Sequence, residues 1–340
     1  MKHFRSAAIV AASLGFAVSA AHAQSTSYPL TIENCGQPIT FDAAPQTTVT
    51  VGQSATETLY SLGLADRVTG TSVWFNPVLP EYAEVNAKIE RLADNDPSFE
   101  SIANKKPGLV AVQYEWHVGS SGIVATREQF HDLGIPTYIM PADCDTKDNT
   151  TGGDGTRTSA FSTDSVYKGI RELAEIYDVQ AAGEGLVTEL QDREAAAIEL
   201  ARSLDLPEGI SAAFWFSSAD LEIDPYVAGQ KGAPGYMMDK LGIENVIQSD
   251  EEWPTVGWET IARADPTVLV IAEMDRRRFP ADDIDKKMEF LRTDPVASQM
   301  TAVREGRIVI MDAHAMSATM RTIFGLETVA EALAGFDFGQ

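Results

Sequence analysis

The sequence predicts an α/β protein of two lobes that are joined by one long helix. Apolar, strand-like stretches alternate with helical patterns in two separate series, and an unbroken helical pattern lies between the series. The chain has 340 residues, which is more than a single core usually serves. We therefore expect an N-terminal lobe over residues 24–178, a linking helix over residues 179–205 and a C-terminal lobe over residues 206–340.

The N-terminal lobe contains the first alternating series. Its predicted strands are residues 47–51, 68–73, 109–112 and 137–140. Its predicted helices are residues 54–62, 98–104 and 126–133. Ser54 is expected to cap the first of these helices. Residues 143–163 are rich in Gly, Thr and Asp without an apolar period, so we expect an extended surface loop there.

Helical periodicity continues through residues 166–177 and 180–204, and a Pro-Glu-Gly sequence then ends it. The C-terminal lobe repeats the alternation. Its predicted strands are residues 212–216, 268–272 and 308–311, and its predicted helices are residues 236–241, 258–264, 295–301 and 324–334. Ligands of open α/β sheets bind beyond the carboxyl ends of the strands, so the residues after each strand are the candidates for function.

The N-terminus has the pattern of a secretory signal peptide over residues 1–23. Lys2 and Arg5 precede an apolar run, and an Ala-x-Ala cleavage site ends at Ala23. The apolar run is too short for a permanent transmembrane helix of about 20 residues. No cysteine lies at the cleavage point to carry a lipid anchor. We expect a soluble, monomeric protein in the periplasm.

The formal net charge of −24 makes nucleic acid and anionic membrane surfaces unsuitable partners. The acidity fits a cationic ligand and equally fits solubility in a salty habitat, and charge alone does not choose between them. Cys35 and Cys144 are the two cysteines of the chain. A pair of cysteines in an oxidising compartment is more often bridged than free, so we expect a disulfide between them.

Sequence signatures of common enzymes are missing. The glycine-rich run at residues 152–155 follows no predicted strand and opens no predicted helix, so it is a poor phosphate-binding loop. The chain has no Cys-x-x-Cys, His-x-x-x-His or Gly-x-Ser-x-Gly motif. We predict a binding protein without a resident cofactor rather than an enzyme. A secreted metal-dependent hydrolase is a distant alternative, since no catalytic residues have recognisable spacing.

Aromatic residues cluster directly after predicted strands. Trp74 and Phe75 follow the second strand, Trp116 follows the third, and Tyr226 lies beyond the first strand of the C-terminal lobe. Large exposed rings are unfavourable in water unless they contact something, so these rings favour a bulky or planar ligand. Packing between the lobes is the alternative explanation for each ring.

Polar candidates occupy equivalent positions in the C-terminal lobe. Arg276, Arg277 and Arg278 follow its second strand, and the planar guanidinium of arginine suits carboxylate and catecholate oxygens. A solvated charged surface is the alternative for this run. His314 and Met316 follow the last strand, and either side chain could ligate a metal or haem iron.

A bare-metal site shared by both lobes is a further alternative. Glu115, His117 and His314 carry suitable ligand atoms near predicted strand ends. Their neighbours are bulky aromatic residues rather than more carboxylates and imidazoles. A large chelate is therefore favoured over a bare ion.

Six segments, taken in their order and spacing, carry a likeness to a known family that extends over essentially the whole mature chain. They are residues 54–63, 98–102, 106–110, 253–256, 258–261 and 265–270. Through them the chain resembles the iron-siderophore and cobalamin periplasmic binding proteins, which are the class III substrate-binding components of ABC importers. The resemblance implies two Rossmann-like lobes that close only slightly on a ligand, and a partner permease dimer with a cytoplasmic ATPase.

The resemblance also implies how the protein meets its partner and ligand. Glu57 and Glu259 match the acidic positions that dock the two lobes onto the permease, and a carboxylate favoured by the helix dipole is the alternative for each. Members of the class bind siderophores, cobalamin, haem or bare metal. The chain lacks the His-rich set of zinc or manganese binders, so Trp74, Trp116, Tyr226 and the arginine run favour a ferric siderophore; haem, cobalamin and a bare metal ion are alternatives.

Overall fold

The computed structural model describes residues 25–120, 122–151 and 154–339. The predicted signal peptide at residues 1–23 lies outside the described residues. Within the described ranges, no helix is both long enough and apolar enough to cross a bilayer.

Two five-stranded sheets, one on each side of a long helix, form the frame of the protein. The predicted α/β fold class with two lobes and a linking helix is confirmed. The strands are β1 (Leu30–Asn34), β2 (Gln37–Phe41), β3 (Thr48–Val51), β4 (Val68–Ser72), β5 (Arg91–Ala93), β6 (Leu109–Val112), β7 (Thr137–Ile139), β8 (Lys147–Asp148), β9 (Thr156–Arg157), β10 (Ser211–Ser217), β11 (Tyr226–Val227), β12 (Glu244–Asn245), β13 (Val268–Glu273) and β14 (Ile308–Asp312). The helices are α1 (Gln53–Ser61), α2 (Ala83–Asn86), α3 (Phe99–Ala103), α4 (Arg127–His131), α5 (Asp164–Ile176), α6 (Gln180–Ser203), α7 (Ala233–Leu241), α8 (Trp258–Ala264), α9 (Ile284–Thr293), α10 (Thr301–Arg304) and α11 (Arg321–Gly335).

The sheet of the N-terminal lobe has the strand order β5-β4-β3-β6-β7, and all its pairings are parallel. Every residue of β3 and β6 is buried. A parallel strand that is covered by helices on both faces requires a continuous apolar or β-branched run, and the sequence has such runs here. The four strands predicted for this lobe are present with ends within one residue.

The start of α1 differs from the prediction that Ser54 caps it. Gly52 occupies the cap position with a φ of 125°, which L side chains rarely adopt. A Cβ at Gly52 would lie 2.2 Å from the Cβ of Gln113, so only glycine fits. The N–H of Ser54 donates to Oε1 of Gln113 at 2.8 Å. Ser54 therefore lies inside the first turn, where its side chain does not cap the helix.

A hairpin of β1 and β2 precedes the sheet and was not predicted. Cys35 lies in its turn and is bonded to Cys144, which confirms the predicted disulfide. The Asn34 side chain also fixes the hairpin to the end of β7, because it accepts from the N–H of Ile139 at 2.8 Å and donates to its carbonyl at 2.7 Å. The disulfide and the hydrogen bonds thus join the hairpin of β1 and β2 to β7 and to the turn that follows it.

The sheet of the C-terminal lobe has the order β11-β10-β13-β14, and β12 pairs with the start of β10. All these pairings are parallel except that of β11. The three predicted strands are present with ends within one residue. The linking helix α6 packs against α5 and against α11, so it contacts both lobes along its length.

The helices of the C-terminal lobe differ from the predicted ones at two places. The helix predicted at residues 295–301 is a 3-10 turn followed by α10, because Asp294 Oδ1 accepts from the N–H groups of Val296 and Ala297 at 2.9 and 2.7 Å. These bonds hold the backbone in a turn. Helix α9 was not predicted, because half of its residues are charged and the segment has the composition of a solvated surface.

The segment predicted as a surface loop, residues 143–163, instead reaches across to the other lobe. Strands β8 and β9 pair within it, and we call residues 147–151 and 154–157 the cleft hairpin. Its backbone joins the C-terminal lobe: the N–H of Glu252 donates to the carbonyl of Gly155 at 3.2 Å, and Thr156 forms a β-bridge with Glu251. The surface-loop prediction is wrong because the polar side chains of this segment are satisfied between the lobes.

The carboxyl ends of both sheets face each other across a cleft. Phe75, which follows β4, joins the two lobes, since its carbonyl accepts from the N–H groups of Asp275 and Arg276 at 3.0 Å each. Asn76 extends this contact by donating to Asp312 at 2.7 Å. The residues that follow the strands of the two lobes therefore lie side by side.

Candidate functional site

A cavity of about 440 Å³ lies between the lobes at the carboxyl ends of the strands. Such a volume and position are typical of small-molecule sites. Both lobes and the cleft hairpin contribute its walls. The aromatic residues that line it are Phe75, Tyr114, Trp116, Phe216, Tyr226, Trp253 and Phe279.

Phe75 is the centre of the aromatic wall. Its ring meets Tyr114 and Phe216 edge to face at centroid distances of 6.5 and 6.1 Å, and it stacks on His314 at 5.9 Å. Arg276 lies over the same ring, with Cζ 4.1 Å from the centroid. Phe75 therefore joins the aromatic surface to the arginine run.

Trp74 is turned away from this wall. Val73 has a left-handed backbone with a φ of 59°, which is rare for a β-branched residue, and Trp74 and Phe75 leave that turn in different directions. Trp74 is 4% exposed, lies in the core of the N-terminal lobe and donates from Nε1 to Thr71 at 3.3 Å. The prediction that Trp74 belongs to the ligand-binding wall is wrong, and Phe75 is the residue that faces the cleft.

The arginine run after β13 divides between two surfaces. Arg276 and Arg278 line the cleft, whereas Arg277 lines only a neighbouring depression, to which Arg276 also contributes, and lies 3.9 Å from Asp283. Within the described part of the chain, neither Arg276 nor Arg278 forms an ion pair with a carboxylate. Burial lowers the pKa of Arg276, although an arginine stays charged at any physiological pH. The cleft therefore holds two guanidinium groups that are free to bind an anionic ligand.

Two buried residues beneath the cleft hold the arginine run in place. Asp282 accepts from the N–H groups of Arg278 and Phe279 at 2.8 and 3.0 Å. Lys287 donates to the carbonyl of Ala272 at 2.7 Å, at the carboxyl end of β13, and burial lowers its pKa to about 7. Sequence reasoning missed both residues, because both lie in a charged stretch that has the pattern of a solvated surface.

The opposite wall of the cleft is charged rather than aromatic. Lys147 lies 2.8 Å from Asp143 and 3.8 Å from Glu252, and Arg157 lies 2.8 Å from Glu252. Burial alone would lower the pKa of Lys147, but the two carboxylates outweigh it and raise that pKa. Asp154 also lines the cleft.

Glu115 lies at the edge of this charged wall. Its Oε2 accepts from the side chain of Asn149 at 2.7 Å, and its N–H donates to Asp143 at 2.6 Å. The side chains of Trp116, Tyr226, Arg276 and Arg278 line the cleft together with Phe75, so the structure brings these five predicted residues together. Glu115 itself supports the wall without lining the cavity.

The predicted metal and haem ligands do not reach the cleft. His117 is buried behind Trp116 and lies 3.2 Å from Asp96, and His314 and Met316 are buried beneath Phe75 and its neighbours. In residues 25–120, 122–151 and 154–339, no three His, Cys, Asp or Glu side chains form a group that could hold a metal ion. The bare-metal site of Glu115, His117 and His314 is therefore contradicted, as is iron ligation by His314 or Met316.

The two predicted docking carboxylates differ in exposure. Glu259 lies exposed in the first turn of α8. Glu57 is fully buried, and its Oε2 accepts from Nε of Arg321 at 2.9 Å. Glu57 is therefore not accessible for the docking role that the resemblance implies, because it is buried against an arginine of the other lobe.

Several cleft residues were not among the predicted ones. Gln113 and Tyr114 directly follow β6, so a search of the residues after each strand could have found both. Trp253 follows no strand, and it joins the cleft by packing against Phe216 at a centroid distance of 5.0 Å. Asp143 and Glu252 carry no local signal, since their importance comes from partners distant in sequence.

Comparison with known proteins places the chain among related sequences and structures. It matches a protein family described as periplasmic binding protein over residues 49–315. It is 23% identical over 308 residues to an uncharacterised ABC transporter substrate-binding lipoprotein of Bacillus subtilis, a match that covers 90% of this chain and 86% of that one.

Solved structures share the fold. A crystal structure of an ABC-type Fe3+-hydroxamate transport system from Saccharomonospora viridis has a TM-score of 0.71 at 27% identity and covers 92% of this chain and 100% of that chain. The periplasmic haem-binding protein RhuT from Roseiflexus sp. RS-1 has a TM-score of 0.65 at 20% identity and covers 85% and 98%. The family match includes both lobes and every aromatic residue that lines the cleft.

Proposed function

Because the chain belongs to the periplasmic binding protein family, we propose that it captures a ferric siderophore in the inter-lobe cleft and delivers it to the permease dimer of an ABC importer. The protein would act in the periplasm after cleavage of its signal peptide, and a cytoplasmic ATPase would drive uptake. The family and the structural neighbours are solute-binding proteins, so the expectation that the chain is not an enzyme is confirmed.

The pair of unpaired guanidiniums in an aromatic cleft carries the siderophore proposal. Arg276 and Arg278 face a cavity lined by seven aromatic rings and have no carboxylate partner among the described residues. A guanidinium binds carboxylate, hydroxamate or catecholate oxygens through charge-assisted hydrogen bonds, and the rings contact the organic frame of a chelate. The likeness to the Fe3+-hydroxamate transport structure, at 27% identity, supports the same ligand class.

Tryptophan fluorescence of the mature protein tests the ligand directly. Trp116 and Trp253 line the cleft, so a bound ferric chelate should quench their emission in a saturable way. We would titrate ferric citrate, a ferric tris-hydroxamate, a ferric tris-catecholate, haemin and cobalamin. Replacement of Arg276 by Met should weaken binding of the preferred ferric chelate by about 10- to 100-fold, since a charge-assisted hydrogen bond is lost.

Arg277→Met is the matched control, because Arg277 is adjacent in sequence but lies outside the cleft. Its dissociation constant should equal that of the wild type. If both variants weakened binding equally, the cause would be a disturbed conformation of the loop rather than the loss of the cleft guanidinium. If none of the ferric chelates bound the wild type, the siderophore proposal would fail.

Haem is the second candidate, and one observation favours it. The phenol groups of Tyr114 and Tyr226 line the cleft, and tyrosine is a known ligand of haem iron. Against it, burial raises the pKa of Tyr114, so that the ionised form which binds iron is disfavoured. An absorbance band of bound haemin that is lost in Tyr226→Phe would favour haem over a siderophore.

Glu259 is proposed to dock the C-terminal lobe onto the permease. Glu259→Gln should leave chelate binding unchanged and should lower uptake at least about 5-fold, since a rim carboxylate acts on association with its partner. The control is Glu244→Gln. Glu244 is also exposed, but it pairs with the amino end of β10, whereas the cleft lies at the carboxyl ends of the strands. Uptake of the radiolabelled ferric chelate by cells that carry each variant measures the effect. Normal uptake by Glu259→Gln would contradict the docking role.

A further inference from the structure

Gln113, which follows β6 on the floor of the cleft, has a side-chain amide with a fixed orientation. The residue is 3% exposed and lines the cavity. The backbone N–H of Ser54 lies 2.8 Å from one terminal atom of the side chain. A backbone N–H only donates, so that terminal atom is the oxygen Oε1 and the other is the nitrogen Nε2.

His314 fixes the same oxygen from a second direction. Its Nε2 lies 3.3 Å from Oε1 of Gln113, and because a carbonyl oxygen only accepts, this nitrogen carries the hydrogen. Burial lowers the pKa of His314 far below its usual value, and the neighbouring Arg321 lowers it further. His314 is therefore neutral and donates to Gln113 throughout the physiological range.

Two donors at the floor of the cleft have no partner. Nε2 of Gln113 and Nε of Arg276 are both shielded from water, and within the described residues neither forms a hydrogen bond. They belong to different lobes, and both residues line the same cavity. His314, which binds Gln113, stacks on the ring of Phe75, and Arg276 lies over the same ring. An unsatisfied buried donor is unfavourable, so each one requires an explanation.

We propose that Gln113 and Arg276 form one subsite, in which each lobe supplies a donor to the same acceptor group of the bound chelate. This inference rests on the proposed function of the cleft. Because both protein groups only donate at the unpaired atoms, the subsite takes an acceptor such as a carboxylate, hydroxamate or catecholate oxygen and rejects a group that can only donate, such as an ammonium. Gln113 is thus a specificity-determining residue, and the ligand bridges the two lobes beside the Phe75 contact.

Gln113→Glu tests the subsite with little change of shape. A carboxylate still accepts from Ser54 and His314 but presents an oxygen where the wild type presents an N–H. The probe is whichever of ferric citrate, the tris-hydroxamate and the tris-catecholate the wild type binds most tightly. We expect its dissociation constant to rise at least about 30-fold. Gln299→Glu is the control, because Gln299 is exposed, its side-chain amide donates to Ser298 at 3.3 Å, and it does not line the cleft.

A double-mutant cycle separates a shared ligand group from a local folding defect. Gln113→Met and Arg276→Met should each raise the dissociation constant of the chelate. The double variant should raise it by clearly less than the product of the two single fold-increases. Thermal unfolding of each variant checks that it is folded. Unchanged binding by folded Gln113→Glu, or multiplicative effects in the cycle, would overturn the subsite while leaving the proposed function intact; failure of every chelate to bind the wild type would overturn both.

Discussion

Replacement of both Cys35 and Cys144 by serine is expected to lower the free energy of unfolding by about 4–5 kcal/mol in the chain-entropy model. The bond closes a loop between residues that are 109 positions apart, which greatly restricts the unfolded chain. The folded state should change little, because the side chain of Asn34 still binds Ile139 through both of its hydrogen bonds. The loss therefore comes mainly from a less restricted unfolded state.

Urea denaturation of the two proteins measures this effect. The variant should unfold at a lower midpoint and with a larger m-value, since its unfolded chain exposes more surface. A reducing agent should bring the wild type to the midpoint of the variant and should leave the variant unchanged. Equal midpoints for the oxidised wild type and the variant would show that the disulfide does not stabilise the folded protein.

The strands of the two sheets could be predicted because their signal is local. Strands β6 and β13 are short apolar runs bounded by Pro, Gly or charged residues, and burial on both faces of a parallel sheet demands such runs. Helix α4 was also marked locally, since Thr126 and Gln129 form a capping box at its start. Where short-range chemistry determines an element, the sequence is sufficient.

The cleft hairpin could not be predicted because its signal is tertiary. Lys147 and Arg157 have the pattern of solvated residues, yet their side chains are 3% and 1% exposed. The carboxylate of Glu252 compensates their buried charges, and Glu252 lies 95 positions beyond Arg157 in the sequence. No pattern within the segment reveals that partner, so a polar stretch that lies between the lobes has the same sequence pattern as a surface loop.

The candidate site was predictable in position but not in detail. The rule that function follows strand ends selected Phe75, Trp116 and Arg276, all of which line the cleft. It could not decide between neighbours, because the direction of each side chain depends on local backbone angles. Trp74 leaves the turn at Val73 toward the core for that reason, although it is adjacent to Phe75.

Replacement of Glu57 by alanine is expected to lower the free energy of unfolding by about 3 kcal/mol or more. Loss of one member of a buried ion pair leaves the other charge uncompensated, and here Arg321 would keep the half-buried Asp312 as its carboxylate partner and the carbonyl of Pro77 as an acceptor. The N–H of Leu79, which donates to Glu57 at 3.2 Å, would also lose its acceptor. Because α1 and α11 belong to different lobes, the change should loosen the junction between them.

Glu57→Gln and Glu259→Ala are the comparisons that identify the cause. The glutamine retains an acceptor for Leu79 and Arg321, so Glu57→Gln should lower the free energy of unfolding clearly less than Glu57→Ala does. Glu259→Ala should change that free energy by less than about 0.5 kcal/mol, because Glu259 is exposed. Chemical denaturation followed by circular dichroism gives all three values. If Glu57→Ala were as stable as the wild type and instead lost uptake, its carboxylate would be accessible in solution and would act on the permease, as the family position implies. A loss of stability with normal uptake in the glutamine variant would instead establish Glu57 as the residue that fixes the two lobes to each other.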